Sequence, residues 1–548
     1  VYRLATVNFE INDIKRHFGV EEFEKLVDSM GMDISGRSDD TVTVDITPNR
    51  PDLLDFFGLV RALKYIKGEA KPEERYKLTN EPAVTIKVDS SVSKVRPYIA
   101  SIVAKSISLT DSSLRYLINL TDKLGDTYGR DRSKLAIGIH NLNAIKGSLE
   151  YGASKNESFV PLGSDKKMSF EEIIKGHKKG VEYSHTVERG RGKTVYPFLK
   201  DSEKILSMIP IINSEATKVT TSTKSLLIDV TGIDIKTVEA VTNLLACTLM
   251  DMDSDIYPVI IDYKNGKRTT PMLGYREIKI TPNSVSRTIG AEIPRIRELA
   301  NKAGYVVDGS EGTLVVKVPP YRIDVFNEQD VIEDIAIAYG YNNIRPEPVL
   351  HGRHGVQNSV SARVNTVSIF MLGLGFFEAL NTYLSNEEIQ FKNMNMPEQK
   401  NVIKLLHSKT ESYTVLRQSM VPSLLQNLSS TTHEKMPQRL FEIGGVFAID
   451  GNPKESINLA FVSEHSKANI SEAKSYVEAV LDYLKLDYQI EEGVNGSFID
   501  GRYAVIKVKG RVIGHFGELH PDVLTNFRLE EPVVCAELKI INNMPYLI

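Results

Sequence analysis

Between Asp324 and Asp334 the chain carries five acids and no base. Asp330, Glu333 and Asp334 stand at i, i+3 and i+4, so a helix beginning near Asn327 sets three carboxylates on one face, with Asp324 just upstream. Carboxylates crowded in this way repel unless a positive charge sits among them, and a hard divalent cation with oxygen ligands, typically magnesium, suits that role. The same spacing also reads as a helix start. Asp330 and Glu333 have capping-box separation, acids near a helix N-terminus complement its dipole, and Ile332, Ile335, Ala336 and Tyr339 supply a buried stripe. Spacing alone leaves both readings open.

The elements that would position such a cluster belong to a long, ordinary globular chain. Its 548 residues, 41% hydrophobic and 25% charged, are enough for three or four cores. Two cysteines, Cys247 and Cys535, can build neither a disulfide framework nor a four-ligand zinc site, which predicts an intracellular protein. No apolar run approaches a membrane span and no signal peptide opens the chain, so the expectation is a cytoplasmic protein with no membrane partner. A formal charge of −4 excludes a uniformly basic nucleic-acid binder and leaves RNA contacts to local patches.

Taken in order, the pattern divides into four parts: an N-terminal α/β domain with its linker (1–82), a second mixed domain (83–275), a small module (276–346) and a last domain (347–548). In the first, Thr41–Ile46 alternates as a strand. Thr47-Pro-Asn-Arg-Pro-Asp then forces a turn that Arg50 and Asp52 can fix, and a helix follows at about 53–67. In the second, a strand at 98–105 and a helix near 111–124 precede apolar runs with polar ends at Leu135–Leu142, Pro210–Thr217 and Leu226–Gly232. A basic stretch from Lys166 to Lys193 can guide an RNA backbone or lie as a solvated surface, since Glu171, Glu172, Glu182 and Glu188 interleave with it. Gly192-Lys193-Thr194 lacks the upstream glycine of a phosphate loop. The third part combines two short helices with a hairpin at Gly309–Gly312, a winged-helix-like pattern whose helix at Pro294–Ala303 is too weakly basic to favour DNA recognition. In the fourth, Val415–Leu428 and Gln438–Phe447 predict a strand–helix–strand of an antiparallel sheet.

Several of these stretches resemble one family. Arg322 and Asp324, Glu328 and Asp330, Glu333 and Asp334, and Tyr339-Gly-Tyr-Asn-Asn-Ile follow the pattern of the metal-binding module of phenylalanyl-tRNA synthetase beta subunits. Asp45, Thr47, Asn49, Arg50, Pro51 and Asp52, then Gly58, Leu59, Arg61, Ala62 and Leu63, match a second family strip. The strand–helix–strand and Val512–Leu524 match its last domain. The resemblance is to the archaeal and eukaryotic type and touches all four parts.

The resemblance implies a multidomain α+β protein: mixed α/β N-terminal and editing domains, a winged-helix-like metal module, and a class II synthetase-like antiparallel sheet that is catalytically silent. It implies magnesium on Asp324, Asp330, Glu333 and Asp334. It implies an alpha subunit as partner, in an α2β2 complex that handles ATP, phenylalanine and tRNA, with activation carried by the alpha subunit. It also implies hydrolysis of mischarged Tyr-tRNA by the second domain. Motif matching sets His140, Asn141, Asn213, Glu215, Asp229 and Thr231 around that pocket, Glu215 recognising the tyrosine hydroxyl and Asn213 and His140 orienting water or ester. The rival reading from another class is a non-catalytic RNA-binding or assembly protein built from the same folds.

Overall fold

The computed structural model describes residues 5–539 except 79, 156, 188–194, 311, 347–354 and 409. Arg189, Arg191 and the Gly192-Lys193-Thr194 stretch therefore lie outside the described residues. The chain divides into two compact units, 1–348 and 349–548.

The first unit begins with a three-stranded antiparallel sheet in which Thr41–Ile46 lies between Ala5–Glu10 and Asp33–Arg37. Alternation in Thr41–Ile46 buries Val42, Val44 and Ile46 on one face, as a half-buried strand requires. The proline-flanked strip that follows forms a 3-10 turn, Pro51–Leu53, and helix Phe56–Lys67, where the sequence reading ran a single helix from about 53. Arg50 grips both oxygens of Asp52 at 2.9 Å, the bidentate pairing expected to fix the turn. Asp55 caps the helix by accepting from the Phe57 and Gly58 amides. Gly58 is required here: a Cβ would lie 1.9 Å from the Asp52 carbonyl oxygen.

A ten-stranded mixed sheet follows. Its order runs from Ile212–Asn213 through 205–208, 196–200, 149–154, 84–88, 255–263, 98–105 and 225–232 to Leu135–Asn141, with 266–270 added on 255–263. Strand 84–88 runs parallel to both neighbours; the other pairings are antiparallel. The two ends of this path return to each other, because the Asn213 side-chain amide donates to the Ile139 carbonyl at 3.1 Å. Helices Asp111–Asp126 and Ile235–Asp251 pack their apolar faces on the curled sheet and close a common core with the N-terminal module. The unit ends with a three-stranded sheet, 276–280, 313–318 and 306–310, carrying helices Pro282–Ile289, Ile296–Lys302 and Glu328–Tyr339 over its own core.

The second unit is built on a seven-stranded sheet, 377–378, 438–450, 452–464, 533–538, 511–519, 498–508 and 488–492, antiparallel apart from its first strand. Helices Val421–Ser430 and Ile470–Tyr483 cover it. The strand–helix–strand appears, with one correction. Val415–Leu416 pairs with Leu384–Ser385 in a separate ribbon and not with the main sheet. Arg417 next to it is fully buried and donates to Glu442 at 2.7 Å and to the Gly445 carbonyl at 3.0 Å, so it stitches the ribbon to the sheet.

One carboxylate in this sheet works against stability at neutral pH. Glu464 is buried, its Oε2 has no protein partner, and burial with a smaller repulsion from Glu531 pushes its carboxyl up to about 6. A carboxyl raised in the folded state favours folding when protonated, so this contribution is complete below about pH 4.5 and is lost as pH rises through about 6. Glu464→Gln should therefore raise stability by about 1–2 kcal/mol at pH 8 and leave it nearly unchanged at pH 4. Urea midpoints of both proteins at the two pH values check this; a variant that is less stable at pH 8 would show that the ionised carboxylate is solvated.

Candidate active site

The curled sheet of the first unit encloses a cavity of about 570 Å³. Leu114 and Ile118 from helix Asp111–Asp126, Ile137 and Ile139 from strand Leu135–Asn141, and the stretch Met208–Ile212 give it apolar walls. One end is polar. Asp229 and Thr231, two residues apart on strand Ser225–Gly232, point to the same face because side chains alternate along a strand. Ser207 and Asn213 join them from the strands at the other end of the sheet path. Around the cavity stand Arg132, His177, Lys178, Lys179 and Lys218.

The polar groups are held from behind. His140 is completely buried and lies outside the cavity lining; its Nδ1 meets the Thr217 hydroxyl at 2.9 Å and its Nε2 meets Asp229 Oδ1 at 3.0 Å. With both ring nitrogens engaged, His140 orients Asp229 and is not placed to take a proton from a ligand. Gly138 makes the pairing possible, since a Cβ there would lie 2.4 Å from Asp229 Oδ1 and 3.1 Å from His140 Nε2. Thr231 Oγ1 accepts from Arg96 Nε at 3.1 Å. A threonine hydroxyl has one proton, and a guanidinium cannot accept it, so that proton stays free for the cavity.

Three of the six residues assigned from motif matching line the cavity: Asn213, Asp229 and Thr231. The other three, His140, Asn141 and Glu215, lie outside its lining. His140 acts one layer out, as described. Asn141 accepts from the Asn143 amide and caps a 3-10 turn. Glu215, the residue chosen to read a hydroxyl, accepts from the Gly163 amide at 2.7 Å and from Lys218 at 2.9 Å, and these contacts hold its carboxyl below the usual range. It braces a wall of the cavity from outside. Motif matching selects residue types; it cannot tell which side of a turn they face. The residue missed is Ser207, buried, lining the cavity and with no partner for its hydroxyl among the described residues. Its signal was a lone hydroxyl inside the apolar run Ile205-Leu-Ser-Met-Ile, because buried polar groups are normally satisfied.

In and just before the acidic helix Glu328–Tyr339 the four carboxylates do not converge on one point. Arg322, 2% exposed, donates to Asp324 at 2.8 Å and to Asp334 at 2.6 Å, and Asp334 also takes the Tyr305 hydroxyl. The positive charge among them is thus supplied by the chain itself. Asp330 Oδ2 accepts from the Phe326 and Asn327 amides at 2.6 and 3.0 Å. The capping box is Asn327 with Asp330, one turn before the Asp330–Glu333 pair that spacing suggested. Glu333 is exposed. Among the described residues no group of three or more His, Cys, Asp or Glu side chains is arranged to hold a metal ion, so the set does not fit a four-carboxylate site as it stands; Asp330 is half-buried and Glu333 exposed. No helix among the described residues is long and apolar enough to cross a membrane.

Comparison with known proteins gives this architecture its class. Residues 81–247, which contain the cavity, match the B3/4 domain, residues 278–341 the tRNA synthetase B5 domain, and residues 347–540 the phenylalanyl tRNA synthetase beta chain CLM domain. The parts are those of an aminoacyl-tRNA synthetase chain. Phenylalanine–tRNA ligase beta subunits from Archaeoglobus fulgidus and Methanocaldococcus jannaschii are 39% and 35% identical to it, over 93% and 98% of this chain and 93% and 100% of theirs. A crystal structure of an N-terminal fragment of the Pyrococcus horikoshii phenylalanyl-tRNA synthetase beta subunit superimposes with a TM-score of 0.58 at 34% identity, covering 61% of this chain and 99% of that one. The chain belongs to the phenylalanine–tRNA ligase beta-subunit family.

Proposed function

We propose that this chain serves a phenylalanine–tRNA ligase together with an alpha subunit, and that its cavity hydrolyses the ester of tyrosine wrongly attached to tRNA. The observation that carries the second part is a polar pair on one strand of a largely apolar cavity, where Asp229 offers an acceptor beside the donor hydroxyl of Thr231. A phenol donates one hydrogen bond and accepts another, so it matches that pair. A phenyl ring would leave both buried groups unsatisfied, which is the arrangement that rejects an analogue most strongly. Lys178 and Lys179 beside the cavity suit the phosphates of a tRNA end.

The reaction is an ester hydrolysis. The water oxygen bonds to the carbonyl carbon, the bond from that carbon to the ribose oxygen breaks, and the proton leaves with the ribose hydroxyl. Among the cavity groups, Ser207 and Asn213 are available to hold the water or the carbonyl oxygen. Nothing in the scheme uses a covalent enzyme intermediate. Steady hydrolysis of purified Tyr-tRNA, with Phe-tRNA spared, by the complex assembled with an alpha subunit tests the reading. No hydrolysis of either ester would favour the assembly role, and equal rates on both would overturn recognition of the tyrosine hydroxyl.

Magnesium on Asp324, Asp330, Glu333 and Asp334 stays in the proposal in a narrower form. A magnesium ion takes one or two carboxylates and keeps several waters, so Asp330 and Glu333 would hold it, with the charges of Asp324 and Asp334 behind them moderated by Arg322. Its contribution there would be structural. On this view chelation lowers the melting temperature of the wild type, and Asp330→Asn and Glu333→Gln each abolish the response. If Asp330 only reaches back from the third helical position to the Phe326 and Asn327 amides, Asp330→Asn costs under about 1 kcal/mol, since an amide oxygen accepts the same bonds and only the charge near the helix start is lost, and chelator moves neither curve.

A further inference from the structure

Arg96 is 3% exposed, yet the only carboxylate that bears on it among the described residues is Asp229. Its planar fork is spent on one neighbour, with Nε on the Thr231 hydroxyl at 3.1 Å and Nη2 on the Thr231 carbonyl at 2.9 Å. Nη1 donates to the Arg132 carbonyl at 3.1 Å, and its own carbonyl takes the Tyr151 hydroxyl at 2.7 Å. A buried cation without a paired carboxylate is costly, and burial pulls this guanidinium down to about 10. Neutral donors could tie the same carbonyls together with less desolvation. The hydroxyl and the charge are what a neutral stitch would not need.

We propose that Arg96 is a positioning residue of the cavity: by donating to one lone pair of Thr231 Oγ1 it limits the rotation of that hydroxyl and leaves its proton to the cavity, setting the donor–acceptor polarity that recognises a phenol. This rests on the reading of the cavity as a tyrosyl-ester site. The polarity has two halves. His140 and Gly138 fix Asp229, leaving Oδ2 to accept, while Arg96 fixes Thr231, leaving its proton to donate. Without Arg96 the hydroxyl could rotate and donate to Asp229 or a backbone carbonyl, and the cavity would lose its donor without losing a single lining residue.

A double-mutant cycle in the complex with an alpha subunit tests this, with Tyr-tRNA hydrolysis as readout and melting plus phenylalanine charging as checks on folding. Arg96→Met should lower kcat/KM for Tyr-tRNA hydrolysis about 10- to 100-fold. In a Thr231→Val background the same change should add less than about twofold, because the hydroxyl it acts through is gone. Equal losses in the two backgrounds, or full activity of Arg96→Met, would overturn the proposal. Should Arg96→Met melt out, Arg96→Lys decides. It keeps the charge but not the fork, so it should lose about three- to tenfold on the threonine background and nothing on the valine one, and any other pattern overturns the proposal. If the wild type spares Tyr-tRNA, the tyrosyl-ester reading fails; if the wild type hydrolyses it and Thr231→Val does so normally, the positioning proposal alone fails, and the two failures are told apart.

Discussion

Replacing Arg61 by Met should destabilise the first unit by about 3 kcal/mol or more, the largest stability loss expected of any single substitution considered for this chain. Arg61 is the hub of a buried ionic network that joins three stretches far apart in sequence. It donates to Asp251 at the end of helix Ile235–Asp251, lies 3.6 Å from Asp52 in the 3-10 turn, and stacks 3.6 Å from the centre of the Tyr321 ring just before the acidic helix. Tyr76 from the linker closes the network, donating to Asp251 at 2.8 Å and lying edge-on to Tyr321. Methionine fills similar space but leaves Asp251 and Asp52 short of a cation inside the protein, and removal of one partner of a buried pair is the costly case. Arg75 and Arg50 still serve those carboxylates, which sets the figure at the lower end of the usual range. Arg61→Lys should cost less than Met but remain clearly destabilising, because one ammonium cannot reach Asp251, Asp52 and Tyr76 together. Urea unfolding followed by a probe in the first unit measures both. A loss under about 1 kcal/mol for Met would mean that the network holds nothing the apolar core does not already hold.

Asp229→Asn is the substitution with the largest expected effect on chemistry. Asparagine keeps the shape and, through its Oδ1, the contact with His140 Nε2, so the strand and the cavity should stand. What changes is the group facing the ligand: an acceptor-only carboxylate becomes an amide whose Nδ2 donates. A phenol that must both donate and accept then meets two donors, Thr231 and the new amide. Hydrogen bonds to charged groups contribute about 1.5–3 kcal/mol, so Tyr-tRNA hydrolysis should fall by about 10- to 150-fold while phenylalanine charging by the complex is untouched. Unchanged hydrolysis would remove Asp229 from the site. Loss of charging as well would indicate damage to the fold.

Periodicity along the chain was enough to place many elements. Strand Thr41–Ile46 follows from local alternation, strand Tyr98–Lys105 from a nearly continuous apolar run, and the start of the acidic helix near Asn327 from local spacing, although its capping box sits one turn before the expected pair. The family was legible for the same reason: its motifs are turns and caps whose residues touch one another, as Arg50 and Asp52 do. The site was legible only by half. Asp229 and Thr231 share a face by strand geometry, and Asn213 follows by motif. Ser207, however, comes from a strand distant in the sheet order, and its orphaned hydroxyl is visible only once the sheet has curled. Glu215 and His140 have the right chemistry, but a turn directs one at Gly163 and complete burial sets the other behind Asp229. The acidic helix shows the same limit. Sequence determined that its carboxylates need a positive charge nearby, whereas tertiary packing decided that Arg322 supplies it to Asp324 and Asp334, since which charges meet depends on how strands and helices pack and not on their spacing along one of them.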